Sequence, residues 1–304
     1  MPRVSVLIPV HDSADYLQEA VESILGQSLR ELELVLVDDG SRDASRQLIA
    51  QFVERDPRVR AVYLDVNQGI PAALNQGLRL CTGEWVARLD ADDVSTPQRL
   101  ERQLAFAERH PEAVLIGSDV NFIDSRSRII GRNLRLPTAH ERIDAALLWG
   151  LWPIVQSSVL LRRETLEQLH GYNESFPISS DHDLFLRMAE KGHLISIPER
   201  LTRYRVHASQ TTGRGGENCV PRIVAEACAR RGIAVPKRPL RVRLHPPGVS
   251  YEADILVYRG LAEPLLLWSR NLAHPLAWYE CSLAYMSFAG WGIVRALQSL
   301  RGGK

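Results

Sequence analysis

Three short apolar runs rich in branched residues, Val4-Ser5-Val6-Leu7-Ile8-Pro9, Glu33-Leu34-Val35-Leu36-Val37 and Arg60 to Leu64, recur early in the chain with helical patterns between them. Such runs read as buried strands, and Pro9 ends the first because proline has no amide to continue a ladder. Behind Ser13 as a candidate cap, Leu17, Val21 and Ile24 fall on one face at helical spacing, and a second helix is expected from about Ala44 to Glu54. A loop at Asn67-Gln68-Gly69 and a helix from about Pro71 to Leu80 complete a βαβαβα order. That order implies parallel strands joined by right-handed crossovers, with ligands gathering at the carboxyl edge of the sheet.

Acids stand at that edge twice. The second strand runs into Asp38-Asp39-Gly40-Ser41, and a fourth, Glu84 to Leu89, runs into Asp90-Ala91-Asp92-Asp93. Carboxylates packed this closely repel one another unless a cation lies between them. A divalent-metal site is one reading of the second cluster. The other is an acidic turn before a helix, with Thr96 as its N-cap and Pro97 in the first helical position.

Farther on, Pro97 to Arg109 reads as an amphipathic helix with Leu100, Leu104 and Ala107 on one side, followed by a strand at Ala113 to Gly117. Val120 to Ile123 and Arg128 to Gly131 flank a polar turn and read as a hairpin, so the second half is expected to be mixed rather than strictly alternating. Ser157 to Leu161 is a further strand, Asp181 to Lys191 a helix, and Leu194 to Ile197 and Leu201 to Val206 closing strands. Asp181 and Asp183 lie in the first turn of their helix, where the dipole favours carboxylates even without a catalytic role.

With 304 residues, 45% hydrophobic and 24% charged, the chain has the composition of an ordinary soluble globular protein. Its net charge of +1 offers no global electrostatic case for nucleic acid as a partner. Cys81, Cys219, Cys228 and Cys281 are scattered without metal-knuckle spacing and read as reduced thiols. No leader pattern opens the chain, and the longest uncharged stretch, Cys281 to Val294, is too short to span a bilayer, so a cytoplasmic location is expected.

Past Gln210 the composition shifts. Thr211 to Gly216 reads as a flexible joint, so the division expected is a catalytic domain over 1–212 and a mainly helical extension over 213–304. A helix from about Val220 to Arg231 leads into a basic run of Arg230, Arg231, Lys237, Arg238, Arg241 and Arg243, and from Leu256 onward Trp268, Trp278, Tyr279, Tyr285, Phe288 and Trp291 stand among leucines and alanines. One reading is helices lying on an anionic membrane at its cytoplasmic face. The other is an apolar helical pair packed on the domain or against a second copy in a homodimer.

Taken in order, Val4 to Pro9, Tyr16, Gln27-Ser28, Val37 to Asp43, Asn67-Gln68-Gly69, Gly83-Glu84 and Leu89 to Asp93 resemble the blocks of family 2 glycosyltransferases, and the resemblance runs to about Gln210. It implies the GT-A fold, in which a Rossmann-like nucleotide-binding half is fused to a mixed-sheet acceptor half. It further implies inverting transfer from a nucleotide-diphosphate sugar, with a UDP-sugar as the family's habit, to a glycan or lipid-linked acceptor of the kind used in surface polysaccharide synthesis. By position, Pro9, Val10 and Asp39 correspond to contacts with the nucleotide base and ribose, Asn67 and Gly69 to the loop near the nucleotide, and Asp90 to a ribose or sugar contact. Asp92 corresponds to the ligand of a divalent cation, Mn2+ or Mg2+, with Asp93 in support. Ser180-Asp181-His182-Asp183 resembles the block holding the general base, making Asp181 that base, although Ser180 replaces the family's glutamate. Tyr204 to His207 resembles the segment closing over the diphosphate, which places His207 near the metal.

Two other classes compete. A dehydrogenase would carry G-x-G-x-x-G and a P-loop protein G-x-x-x-x-G-K-[ST] after the first strand, and neither is there. A sugar nucleotidyltransferase uses paired aspartates on a related sheet, and a non-catalytic nucleotide-sugar-binding subunit would keep the pocket without turnover.

Overall fold

The computed structural model describes residues 2–132, 136–207 and 219–236, and the backbone of 240–244, 251–256 and 265–269. Contacts divide the chain into two units, residues 1–130 with 136–235, and residues 131–135 with 236–304.

The alternation legible in the sequence forms β1 (Val4–Val10), α1 (Ala14–Leu25), β2 (Leu32–Asp39), α2 (Ser45–Arg55), β3 (Val59–Leu64), α3 (Ile70–Leu78) and β4 (Trp85–Arg88). β2, β1 and β4 lie side by side, all parallel, with β3 outside β2. After three strands laid in one direction, the chain crosses back to place β4 on the far side of β1, and the crevice outside such a reversal is where ligands bind in open α/β sheets. Both acidic clusters therefore flank the end of β1, one following β2 and the other following β4.

Beyond β4 come β5 (Val94–Ser95), α4 (Arg99–Arg109), β6 (Ala113–Ile123), β7 (Ile129–Arg132), α5 (His140–Leu148), a 3-10 turn (Gln156–Ser158), β8 (Leu160–Arg162), α6 (Arg163–Gln168), α7 (Ser180–Ala189) and β9 (His193–Arg205). The sheet continues β4-β8-β6-β9-β5, with β8 antiparallel to both neighbours and β6 parallel to β9. The second half is thus mixed, as the hairpin pattern implied. Each of the two predicted strand pairs at 113–123 and 194–206 is one long strand. They stay paired across register shifts near Asp119, which absorb the polar breaks in their patterns.

Period-two alternation divides the core between the two faces of the sheet. Val4, Val6, Ile8 and Val10 pack with Leu17, Val21 and Ile24 of α1, Phe52 of α2 and Leu100 and Leu104 of α4. Leu7, Val35 and Val37 pack on the other side with Ala73 and Leu74 of α3 and with Leu184, Phe185 and Met188 of α7. α8 (Val220–Arg231) joins that second face through Ile223, Val224 and Ala227. Its Arg230 and Arg231 are committed to ion pairs with Glu190 and Asp144, at 3.0 and 2.8 Å. In the second unit, β10 (Leu240–Leu244), β11 (Tyr251–Leu256) and β12 (Leu265–Ser269) form an antiparallel sheet. The run Leu240-Arg241-Val242-Arg243-Leu244 alternates with period two, and β structure occupies part of the stretch expected to be mainly helical. The aromatic residues from Trp278 onward lie outside the described residues. Among the described residues no helix is long and apolar enough to cross a membrane, and Cys81, Cys219 and Cys228 are buried free thiols.

Two expected caps are replaced by longer-range contacts. Ser13 makes no side-chain cap, and Asp43 Oδ2 accepts the Ala14 N–H at 2.9 Å in its place. Thr96 donates its hydroxyl to the Leu201 carbonyl, and α4 begins only at Arg99. In each case the side chain fastens neighbouring loops at the carboxyl edge instead of finishing a helix.

Gly83 shows how closely β4 approaches β1: a Cβ there would lie 2.6 Å from the Ser5 nitrogen and 2.8 Å from the Val4 carbonyl carbon. Gly83→Ala is expected to lower stability by about 1–3 kcal/mol, as overpacking against backbone does, read as a lower urea midpoint with an unchanged slope.

Candidate active site

On the β2 side of the sheet's carboxyl edge, Asp39 is only 3% exposed, and its carboxylate organises the loop that follows β3. Oδ1 accepts the Gln68 N–H at 2.6 Å and Oδ2 accepts the Gly69 N–H at 2.9 Å. Asn67 Oδ1 also accepts the Gly69 N–H, at 3.0 Å. Gly40 has φ +67°, and a Cβ there would lie 2.6 Å from the Asn67 nitrogen, so the turn after β2 and this loop are pressed together. Pro9 and Val10 pair with Val37 and Asp38 on the adjoining strand. Pro9, Val10, Asp39, Asn67 and Gly69 are thus brought to one edge. Asp38 faces elsewhere: it is fully buried, receives Arg46 Nε at 2.6 Å and the Ser41 N–H at 3.1 Å, and secures its own turn. His11, not singled out from sequence, places Nδ1 2.8 Å from the Asp39 carbonyl.

Across the end of β1, each carboxylate of the second cluster has its own partner. Asp90 Oδ1 receives Arg88 Nη2 at 2.5 Å, and Oδ2 receives the Ser157 hydroxyl at 2.8 Å. Asp92 Oδ2 stands 2.8 Å from His207 Nε2. Asp93 is 1% exposed; Oδ1 accepts the Arg205 N–H at 2.7 Å, while Oδ2 has no partner among the described residues. Burial pushes the Asp93 carboxyl well above its usual range, and the charges of Asp92 and Asp90 push it further. Arg205 is 1% exposed and ties four segments together. Its Nε donates to the Asp92 carbonyl at 2.6 Å, Nη2 to Glu19 of α1 at 2.6 Å, and Nη1 to the Asp124 carbonyl and the Ser127 hydroxyl at the β6–β7 turn. Tyr16 of α1 fills the remaining space, 4.6 Å beneath the Arg205 guanidinium and 4.9 Å from the His207 ring.

Asp181 occupies the first turn of α7 behind Ser179, whose φ of +69° turns the chain sharply into the helix. Its carboxylate accepts the His182 N–H at 2.9 Å. Burial raises its pKa to about 6; the His182 amide opposes that rise, the charge of Asp90 adds to it and that of Arg88 reduces it. Asp181 and Asp90 therefore sense each other across the cleft. Asp183 is structural, since it pairs with Arg187 at 2.8 Å and Arg187 in turn donates to the Leu169 and Gly171 carbonyls. Ser180, at the position where the resembled family carries glutamate, is buried.

Residues around the acids fit a divalent cation. A carboxylate oxygen and an imidazole nitrogen converge from separate loops at Asp92 and His207, and a buried Asp93 oxygen stands unpaired behind them. Among the described residues no third His, Cys, Asp or Glu completes a protein-only cage. Such a partial set suits Mn2+ or Mg2+ sites that draw their other ligands from phosphate oxygens and water.

The sequence matches Glycosyl transferase family 2 over residues 5–169, more than half of the chain. The chain belongs to that family. The amylovoran biosynthesis glycosyltransferase AmsE of Erwinia amylovora is 32% identical over 220 residues, 71% of this chain and 81% of AmsE. Among solved structures, S. aureus TarS residues 1–349 in complex with UDP-GlcNAc gives a TM-score of 0.63 at 18% identity, covering 75% of this chain and 66% of that one. The Pyrobaculum calidifontis mannosyltransferase PcManGT, in complex with GDP-Man and Mn2+, gives 0.54 at 21% identity, covering 75% of this chain and 69% of that one. The fold of this family 2 glycosyltransferase is GT-A.

Sequence reading missed Arg88, Ser157 and the bracing role of Arg205. A lone arginine inside the apolar run Trp85 to Leu89, directly before three acids, is the signal that was available for Arg88.

Asp39→Asn would turn an amide NH2 toward one of the two loop N–H groups, leaving a buried donor facing a donor. It is expected to cost about 1–3 kcal/mol and to weaken nucleoside-diphosphate binding, measured together by thermal unfolding with and without UDP.

Proposed function

We propose that this glycosyltransferase transfers a sugar with inversion from a nucleotide-diphosphate sugar, by family habit a UDP-sugar, to a hydroxyl of a glycan or lipid-linked acceptor, with Asp181 as general base. The observation that carries this reading is the placement of Asp181: a half-buried carboxylate with no cationic partner among the described residues, near enough to Asp90 on a different element to feel its charge. Support for the donor class comes from TarS and PcManGT, which hold UDP-GlcNAc and GDP-Man on the same fold. The word amylovoran in the name of AmsE supports a polysaccharide acceptor.

In this reading Pro9, Val10 and Asp39 receive base and ribose, with Asn67 and Gly69 closing the loop beside them. Asp90, held by Arg88 and Ser157, orients the ribose or the donor sugar. Asp92 and His207 would hold a divalent cation, which supplies charge neutralisation for the departing diphosphate. Asp181 accepts the proton of the acceptor hydroxyl as that oxygen bonds to the anomeric carbon. The bond from that carbon to the phosphate oxygen breaks, and its electron pair leaves with the nucleoside diphosphate. A carboxyl with a pKa of about 6 is ionised at neutral pH yet more basic than an ordinary aspartate, which suits a base. Ser180, shorter than glutamate, leaves Asp181 the acid of the block nearest the cleft. We further assign the protein to the cytoplasmic side, where nucleotide sugars are made, with the extension beyond residue 212 as its contact to membrane or to a second copy.

Asp181→Asn is expected to lower kcat by ~10²–10⁴-fold while nucleotide-sugar affinity stays within a few fold. Asp92→Ala should instead raise the donor dissociation constant in Mn2+ and abolish its metal dependence, as EDTA should in the parent protein. Equal loss of donor affinity in both variants would contradict the assignment. The raised Asp181 pKa means the folded state holds this proton more tightly than the unfolded one, so its contribution to stability is full below the unfolded value and lost as pH rises through about 6. Activity should run the opposite way, with kcat/KM falling about tenfold per pH unit below about 6, and Asp181→Asn should melt no lower than the parent at pH 8.

A further inference from the structure

The loop from Trp149 to Ser158 runs between the two sides of the cleft. Near its start the Trp152 indole stands edge-to-face on the His182 ring, with centroids 5.0 Å apart, and His182 directly follows Asp181. At its end the Ser157 hydroxyl holds Asp90. The loop thus spans from the proposed base to the acid that orients the donor. Trp152 is 45% exposed, unusual for so large an apolar group. A single exposed apolar side chain carries little by itself, but this one rests on a buried ring whose own position is fixed. His182 Nε2 lies 2.9 Å from the Leu147 carbonyl and so carries the ring hydrogen, and burial lowers its pKa to about 4, so the ring beneath Trp152 is neutral.

A second observation lies in the same wall. Among the described residues the Tyr172 hydroxyl and the Gln156 amide nitrogen are buried with no well-formed hydrogen bond, and the two lie within reach of each other. Tyr172 is 3% exposed, and α3 fixes its backbone, because Asn75 accepts its N–H at 2.8 Å and donates to its carbonyl at 2.9 Å. Burial raises the pKa of its phenol, the charge of Arg88 and the Gln156 side chain oppose that rise, and the charges of Asp181 and Asp90 add to it, so the phenol lies near both carboxylates. Buried donors left unpaired lower stability unless a ligand supplies acceptors. An exposed flat apolar ring beside unpaired hydroxyl and amide groups has the chemistry that a sugar matches, with C–H groups on one face and hydroxyls around the edge.

Resting on the function proposed above, we propose that Trp152, Gln156 and Tyr172 form the acceptor subsite, and that the acceptor's terminal unit is a pyranose ring rather than an acyclic alcohol or a lipid. The ring stacks on Trp152. Gln156 and Tyr172 bond its hydroxyls, so that one hydroxyl is presented to Asp181, which takes its proton as described. Trp152 is a positioning residue: it fixes the angle of attack and touches no reacting atom.

The test uses the full chain with a nucleotide-sugar donor and Mn2+, offering p-nitrophenyl glucopyranoside, galactopyranoside and N-acetylglucosaminide as ring acceptors and glycerol as the acyclic one. The expected result is transfer to at least one pyranoside and not to glycerol. Trp152→Ala should raise the acceptor KM by about tenfold or more, and Trp152→Phe, which keeps a flat ring, should restore it to within about threefold of the parent. The donor dissociation constant, measured separately by calorimetry, should stay within about twofold in both variants. Tyr172→Phe should raise the acceptor KM without moving the donor constant. An unchanged acceptor KM in Trp152→Ala overturns the proposal, as does equal use of glycerol, parallel loss of donor affinity, or a Trp152→Ala defect confined to binding of phosphatidylglycerol vesicles. If the parent protein releases no nucleoside diphosphate from any donor, even by hydrolysis, the reading of the active site fails first. Donor hydrolysis without transfer to any pyranoside overturns the subsite alone.

Discussion

Buried arginines around clustered carboxylates hold this candidate site in shape. Arg88, Arg99 and Arg205 are each almost wholly inaccessible, and each serves the segment around Asp90 to Asp93. Arg88 pairs with Asp90, Arg99 donates to the Arg88 and Val159 carbonyls at 2.8 and 3.1 Å, and Arg205 fastens the Asp92 carbonyl and the Asp93 carboxylate. Removing one of these arginines would leave buried carbonyls without their donor, a cost on the order of 1–3 kcal/mol, while the partly exposed Asp90 and Glu19 would turn to solvent. The arrangement is therefore over-determined: Arg205 alone links α1, the acid loop and the β6–β7 turn to the end of β9. Arg99 is wholly inaccessible to solvent, and that burial lowers its pKa to about 9.

Asp181 differs in having no such partner. The one hydrogen bond recorded for its side chain is the adjacent helix amide, and no arginine or lysine among the described residues pairs with it. A group so placed stabilises little and is free to take up and release a proton. The neighbouring Asp183, paired with Arg187, is the comparison built into the same turn of helix. Environment, not residue type, assigns the two aspartates different roles.

Much of this was readable in the sequence, for a definite reason. Strands buried on both faces write themselves as continuous apolar runs, so β1, β2 and β4 and the acids after them needed no structure to locate. The strands before them placed Asp39, Asp90 and Asp92 at a sheet's carboxyl edge, whereas Asn67, Gly69, Asp181 and His207 were singled out by the family resemblance alone. What was hidden depends on contacts between distant residues. Ser13 and Thr96 look like caps locally, yet Asp43 caps α1 and Thr96 bonds the Leu201 carbonyl. The 3-10 turn at Gln156–Ser158 read as the start of a strand because its two serines precede an apolar run. Arg205 has no local mark of its role, since its partners lie 78–186 residues away in sequence. Trp152 and Tyr172 gave no signal, because an aromatic side chain in a loop reads equally well as core.

The arrangement proposed for Asp92 and Asp181, on opposite sides of one bound sugar, implies a single displacement, and the configuration of the product reports it most directly. With an α-configured nucleotide sugar as donor, proton NMR of the newly formed linkage recorded before any equilibration should show the β anomer. An α linkage would contradict the proposed attack assisted by Asp181 from the face opposite the diphosphate.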